Sequence, residues 1–134
     1  MTSKEYLEQG LACTRRIQAR RLEVGRLRFA LRQAEECADG RVSERTRDRL
    51  IALAQEVELE INDLCAKERE VYAAIDSVKN EKLRAFLDLR YRGGMSLEQI
   101  AREMHYSYTH TARLHREALK AVQVPRKRRG RQPK

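Results

Sequence analysis

The chain has 134 residues, of which 37% are charged and 5% are aromatic, and it contains six Gly, two Pro and no Trp. This composition excludes β-sandwiches, β-barrels and collagen-like chains and favours long, charged helices. The sequence has no run of about 18 apolar residues, and residues 1–10 lack the short apolar stretch of a secretory signal. We therefore expect a soluble cytoplasmic protein with no membrane partner.

Positive charge is concentrated at the C-terminal end of the chain. The formal net charge is +9, and residues 123–134 contain six basic and no acidic residues. Such asymmetry predicts a polyanionic partner, of which nucleic acid is the commonest.

The cysteines and histidines predict no cofactor and no metal. Cys13, Cys37 and Cys65 show no CxxC spacing, so we expect free thiols in a reducing compartment. Small core residues are the leading interpretation of the cysteines, and a redox pair is the alternative. His110 and His115 are five residues apart, which places them on different faces of one helix.

Residues 1–79 carry two runs of apolar residues at seven-residue spacing, the pattern of a coiled coil. The first run follows a capping-box pattern at Thr2 and Glu5, and the second follows the helix-stopping Gly40 and the N-cap candidate Ser43. We expect two helices of about 35 residues that fold back as an antiparallel hairpin. The two seams consist of Tyr6, Cys13, Ile17, Val24, Leu27, Leu31, Ala34 and Ala38, and of Leu50, Ala54, Val57, Ile61, Leu64, Val71, Ile75 and Val78.

The seams also predict which residues face each other and whether the hairpin self-associates. A symmetric fold-back places Arg15 near Glu68, while Gly10 interrupts the first seam. Each seam is narrow, so a lone hairpin buries little core, and we expect residues 1–79 to form a homo-oligomer with a four-helix arrangement. The alternative is a single hairpin packed on the C-terminal unit.

Residues 80–122 are predicted to form three short helices. Asn80 is an N-cap for the first, which ends at Gly93-Gly94, while Ser96 caps the second and Ser107 the third. A short helix, a tight turn and a longer helix form a helix-turn-helix. The predicted inward residues are Leu83, Phe86, Leu87, Tyr91, Leu97, Ile100, Ala101, Met104, Thr111, Leu114, Ala118 and Val122.

The string LDLRYRGGMSLEQIAREMHYSYTHTARLHREALKAV, residues 87–122, resembles the helix-turn-helix of sigma-70 region 4-like proteins. Its Tyr106-Ser107-Tyr108 and Arg113-Leu114-His115 segments, with the coiled coil before them, are similar to small phage and prophage regulators of the ArpU/RinA late-transcription type. The resemblance implies a DNA-binding transcriptional regulator and raises RNA polymerase as a further partner. A phage-encoded protein of this type works in the bacterial host cytoplasm. The chain departs from the family at Thr111, where an aliphatic residue is common, which predicts looser packing of the third helix.

In a helix-turn-helix the third helix enters the major groove, so residues 108–121 are the predicted recognition helix. Arg113 is the first choice for a base contact, because a guanidinium bonds bidentately to guanine O6 and N7. Arg102 and Ser96 are better placed for phosphate. Simple solvation is the alternative for Arg113 and His110. The predicted DNA-binding residues of this unit are Ser96, Arg102, Ser107, Tyr108, Thr109, His110, Arg113 and Arg116.

Residues 123–134 are predicted to be a disordered basic tail that anchors the protein on DNA. Its Arg129-Gly130-Arg131 core resembles an AT-hook, which lies in the minor groove, and a non-specific phosphate anchor is the alternative. A nuclear-localisation role applies only in a eukaryotic host. The predicted contact residues are Arg126, Lys127, Arg128, Arg129 and Arg131.

The full prediction is an all-α protein with a helical hairpin at 1–79, a helix-turn-helix at 80–122 and a basic tail at 123–134. The sequence has no Gly-rich phosphate loop and no HExxH motif, so we expect no enzymatic activity. The leading function is sequence-specific DNA binding in transcription regulation. The alternative is a DNA-binding assembly or packaging adaptor with a coiled-coil interaction module.

Overall fold

A computed structural model describes residues 1–36 and 44–125 of the chain. Every regular element in these two ranges is helical, which confirms the all-α class for them. None of the described helices is long and apolar enough to cross a bilayer. Cys37, Ala38, Gly40, Ser43 and residues 126–134 lie outside the described residues. The helices are α1 (Ser3–Glu36), α2 (Glu44–Asp76), α3 (Glu81–Leu87), α4 (Leu97–Met104) and α5 (Tyr108–Ala121).

The helix starts agree with the capping signals in the sequence. At the start of α1, the Glu5 backbone N–H donates to Thr2 Oγ1 (3.1 Å), and the Thr2 N–H donates to Glu5 Oε1 (3.2 Å). Asn80 Oδ1 accepts from the N–H groups of Lys82 (3.0 Å) and Leu83 (3.2 Å) at the start of α3. Both predicted caps are confirmed, because each side chain satisfies amide donors that a helix start leaves unpaired.

α3 continues directly into a π-helical turn, Asp88–Arg92, which the sequence did not predict. The Gly93 N–H donates to the Asp88 carbonyl at 2.8 Å and closes this turn. Gly94 then adopts a φ of 68°, in the left-handed region that favours glycine. The predicted helix end at this glycine pair is therefore confirmed.

The chain divides into two compact units, and the first contains Met1–Leu11 and Arg69–Lys134. Both α1 and α2 contribute to its core alongside α3, α4 and α5. The boundary predicted at residue 79 therefore falls inside this unit. The buried core residues are Tyr6, Leu7, Val71, Ile75, Val78, Phe86, Leu87, Tyr91, Ile100, Leu114, Ala118 and Val122.

Gly10 lies where α1 and α2 approach closely in the first unit. A Cβ atom at this position would lie 2.7 Å from Val71 Cγ1 and 3.1 Å from Val71 Cβ. The glycine that interrupts the predicted seam is thus required by packing, because no larger residue fits beside the stiff valine.

We expect alanine at Gly10 and at Gly25 to change stability in opposite directions. Gly10→Ala overpacks the contact with Val71 and should destabilise the protein by about 1–3 kcal/mol. Gly25→Ala meets no atom within 4 Å and should stabilise α1 by about 1 kcal/mol through helix propensity. Urea unfolding at low protein concentration measures both. An equal gain in stability for the two variants would contradict the close approach at Gly10.

The second unit, Ala12–Glu68, pairs the rest of α1 with the first part of α2. The seam residues Cys13, Ile17, Val24 and Val57 are buried within the chain. Among the described residues, four ion pairs join the two helices. Arg16 and Arg20 both pair with Glu60, at 3.4 and 3.9 Å, and the others are Arg28–Glu58 at 2.7 Å and Glu35–Arg47 at 3.6 Å. Residue numbers rise along α1 as those of the partners on α2 fall, so the helices run in opposite directions here. These pairs are largely exposed, so they fix register more than they add stability.

Arg15, which was expected near Glu68, forms no ion pair with it among the described residues, and the adjacent residue Thr14 makes the contact instead. The Thr14 hydroxyl donates to Glu68 Oε2, and Arg15 is exposed. An offset of one residue turns a helical side chain by about 100°, so the side chain that faces α2 is the threonine.

Candidate nucleic-acid interface

α4 and α5 are joined by a turn of three residues. His105 adopts a φ of 60°, and the Tyr106 N–H donates to the Ala101 carbonyl at 2.9 Å, so the chain reverses within one turn. Ser107 then caps α5 by accepting from the His110 N–H at 3.1 Å. α4 starts in a capping box, in which Ser96 Oγ accepts from the Gln99 N–H at 3.2 Å. The predicted caps at Ser96 and Ser107 are both confirmed.

One face of α5 is fixed in the core. The predicted inward residues Thr111, Leu114, Ala118 and Val122 are all buried. Thr111 is fully buried, and its hydroxyl donates to the Ser107 carbonyl at 2.9 Å. Thr111 stands where an aliphatic residue is common in the family, yet its side chain is not exposed and its hydroxyl has a hydrogen-bond partner.

The opposite face of α5 presents a polar and basic stripe, formed by Thr109, Arg113, Arg116 and Lys120, all exposed. Spacings of four, three and four residues place these side chains along one side of the helix. Within the described ranges, neither Arg113 nor Arg116 takes part in an ion pair, whereas Arg92 is held by carboxylates. The two guanidinium groups are therefore available to an anionic ligand.

Lys120 extends this stripe, and the sequence prediction missed it. The signal was present, because Lys120 lies four residues after Arg116 and seven after Arg113. The last predicted contact residue along α5 was Arg116, one helical turn before Lys120.

Among the predicted contact residues that the structure describes, His110 is the one that is not exposed. Its side chain is half-buried, its ring contacts Tyr106 edge-on with centroids 4.4 Å apart, and its Nε2 atom is buried without a partner in the described part of the chain. The Tyr106 ring also lies 4.8 Å from Lys82 Nζ. The predicted outward position of His110 is wrong, because the aromatic residue of the turn covers the imidazole.

Of the other predicted contact residues, Ser96, Ser107 and Tyr108 lie at helix starts, whereas Arg102 lies in the last turn of α4. Tyr108 is 54% exposed in the first turn of α5, and Ser96, Ser107 and Arg102 are exposed. No ion pair among the described residues involves Arg102. The predicted contact residues of the tail, Arg126, Lys127, Arg128, Arg129 and Arg131, lie outside the described residues.

His115 packs inside the unit on the side of α5 that faces α3. Its Nε2 atom lies 2.8 Å from Tyr91 Oη, and its ring centroid lies 5.3 Å from that of Phe86. Burial, with a further contribution from the Arg90 charge, lowers the pKa of His115 below its usual value. The neutral imidazole is thus the form that the folded protein favours.

We expect His115 to make the protein less stable in acid. Because its pKa is lower in the folded state, the unfolded chain binds a proton first as pH falls below about 6.5, and the stabilisation present above that pH is lost. The free energy of unfolding should therefore fall more between pH 8 and pH 5 in the wild type than in His115→Phe. His105→Asn is the matched control, because it removes an exposed imidazole and because asparagine tolerates the left-handed backbone at this position. In this variant the free energy of unfolding should fall between pH 8 and pH 5 as much as in the wild type. An equal fall in the free energy of unfolding for wild type and His115→Phe would contradict this role of His115.

Among the described residues, no group of three or more His, Cys, Asp or Glu side chains could hold a metal ion.

The fold and the site define an all-helical protein that presents an exposed basic helix face. The chain belongs to the DUF1492 family, described as a protein of unknown function, which matches residues 39–123. The match includes α2, α3, α4 and α5 and leaves out α1. No curated protein and no solved structure shows significant similarity to the chain.

Proposed function

We propose that the protein is a sequence-specific DNA-binding transcriptional regulator in which α4, the turn and α5 act as a helix-turn-helix. One observation carries the proposal: Arg113 and Arg116 are exposed and unpaired among the described residues, on a helix whose other face is fixed in the core. A rigid helix with cationic side chains on its free face suits the major groove. The resemblance to sigma-70 region 4-like proteins supports the same role.

Each contact residue has a distinct task in this proposal. Arg113 reads a guanine, and Thr109 contacts a neighbouring base edge or phosphate. Arg102, Ser96 and Arg116 bind the phosphate backbone and set the orientation of α5. The basic residues after Pro125 add non-specific affinity.

We infer that α1 and α2 form an antiparallel hairpin that connects DNA binding to a protein partner. The ion pairs Arg28–Glu58 and Glu35–Arg47 support this arrangement. Candidate partners are a second copy of the chain and, by the sigma-type resemblance, RNA polymerase. Cytoplasmic action follows from the same proposal.

DNase footprinting with the full chain on the genomic DNA that flanks its gene tests this function. A regulator should protect a discrete site next to a promoter. Protection of a packaging locus instead would favour the assembly adaptor. Absence of duplex binding at low salt would overturn the proposal, since even non-specific binding is then expected.

A further inference from the structure

The second unit has an outer face on each of its two helices that no described residue covers. The α1 outer face consists of Gln18, Leu22, Gly25 and Phe29, and the α2 outer face consists of Ala52, Gln55, Leu59, Asn62 and Ala66. All nine residues are exposed and uncharged, and each set repeats with alternating spacings of three and four residues. That is a second coiled-coil pattern, separate from the buried seam.

The α1 outer face has features that a solvated surface does not need. Leu22 is 69% exposed and Phe29 is 58% exposed. Between them, a Cβ atom on Gly25 would meet nothing within 4 Å. Glycine inside a helix costs about 1 kcal/mol relative to alanine, and no contact within the unit requires it here. A gap between two large apolar side chains allows the backbone of another helix to approach closely.

The α2 outer face has a single large apolar residue between small ones, so its shape is complementary to the α1 outer face. Leu59 is 66% exposed and lies between Ala52 and Ala66, seven residues away on each side. Small residues on both sides of one large residue leave room for the side chains of a partner helix. Polar residues at interface positions specify register in coiled coils, and this face has two, Gln55 and Asn62.

The charges beside the two faces are opposite in sign. Arg26 lies four residues after Leu22 and three before Phe29, so it borders both. Glu56 and Asp63 border Leu59 in the same way. All three charged residues are exposed, and none forms an ion pair within the described residues. Each face therefore carries the charge that attracts the other.

We propose that the α1 outer face of one chain packs on the α2 outer face of a second copy of the same chain. The occupant is a second copy because one chain carries both complementary surfaces. Two identical α1 outer faces would instead bring arginines together. The contact is heterologous, so it joins copies head to tail and generates rings or open chains.

A single helix pair buries less than the roughly 1,200 Å² of a standard stable interface. The association should therefore be weak in dilute solution and grow with protein concentration. Because ionic attraction contributes, added salt should weaken it.

Sedimentation of two complementary variants of the full chain tests the proposal. Leu22→Gln with Phe29→Gln removes the α1 outer face, and Leu59→Gln with Asp63→Arg removes the α2 outer face. Each variant alone should lose self-association by roughly 10-fold or more in dissociation constant. A mixture of the two should form a one-to-one complex, since each still supplies one intact face. Ala12→Gln, an exposed change on α1 outside both faces, should behave like the wild type.

Three results would overturn the proposal: a wild type that stays monomeric at high concentration and low salt, either variant associating like the wild type, or a mixture that forms no complex. Helix content measured for each variant shows that the fold is kept. Binding of one variant to duplex DNA separates this contact from the proposed function, because a monomer should still bind DNA.

Discussion

Replacing Arg113 by Ala is expected to weaken binding to the preferred DNA site by about 1–3 kcal/mol and to leave binding to unrelated duplexes nearly unchanged. The reason is geometric. Arg113 is exposed on the second turn of α5, and Leu114 beside it is buried, so the helix cannot rotate to let another residue replace it. A bidentate bond to guanine is lost from the specific complex alone, whereas a phosphate contact would be lost from every complex. Fluorescence anisotropy titrations on specific and scrambled duplexes measure the difference.

Lys120→Ala is the matched control for Arg113→Ala. Both residues are exposed, basic and on the same stripe of α5. Lys120 lies in the last turn of the helix, away from the N-terminal part that enters the groove. Replacing Lys120 should weaken binding to the specific and the scrambled duplex to a similar small extent. If Arg113→Ala also weakened binding to both duplexes equally, α5 would not be the element that reads the DNA sequence.

Helix starts were predictable because their signals are local. Ser96 and Gln99, or Ser107 and the amide of His110, lie within one turn, so the sequence contains both partners of each hydrogen bond. The inward faces of α4 and α5 were predictable for a related reason, since helical periodicity alone separates Ile100 and Leu114 from their charged neighbours.

The boundary predicted at residue 79 could not be placed from local signals in the same way. Val71, Ile75 and Val78 continue the heptad pattern of the residues before them, yet they belong to a core with Phe86 and Tyr91. A heptad pattern shows that a side chain is buried but not which element buries it. Residues 1–11 and 69–79 belong to the same compact unit as the C-terminal helices, and self-association of the chain stays a prediction.

Two of the interactions around α5 that the sequence missed are non-local. Tyr91 and His115 are 24 residues apart and meet only because α3 and α5 pack together. Lys82 over the Tyr106 ring is a second example. A helical wheel places His110 near the surface but does not include a ring supplied by the preceding turn.

Deleting residues 125–134 is expected to reduce affinity for all duplexes and to flatten the dependence of log K on log salt. The deleted segment contains six basic residues. Each phosphate that they neutralise contributes about 0.9 to the slope, so the slope should fall by up to about 5. Affinity at low salt should fall most, because counterion release is then most favourable.

Sequence discrimination should survive this deletion, because it leaves Arg113 and Thr109 on α5 and keeps the buried residues of α5 and the buried Val122 that follows it. Titrations at several salt concentrations, on the preferred site and on a scrambled duplex, separate the two effects. A charge-neutral tail, with each Arg or Lys of residues 126–134 changed to Gln, is the matched control for chain length and should reproduce the deletion. An unchanged slope after deletion would mean that the tail does not contact phosphate, and all phosphate contacts would then have to come from residues such as Arg102 and Arg116.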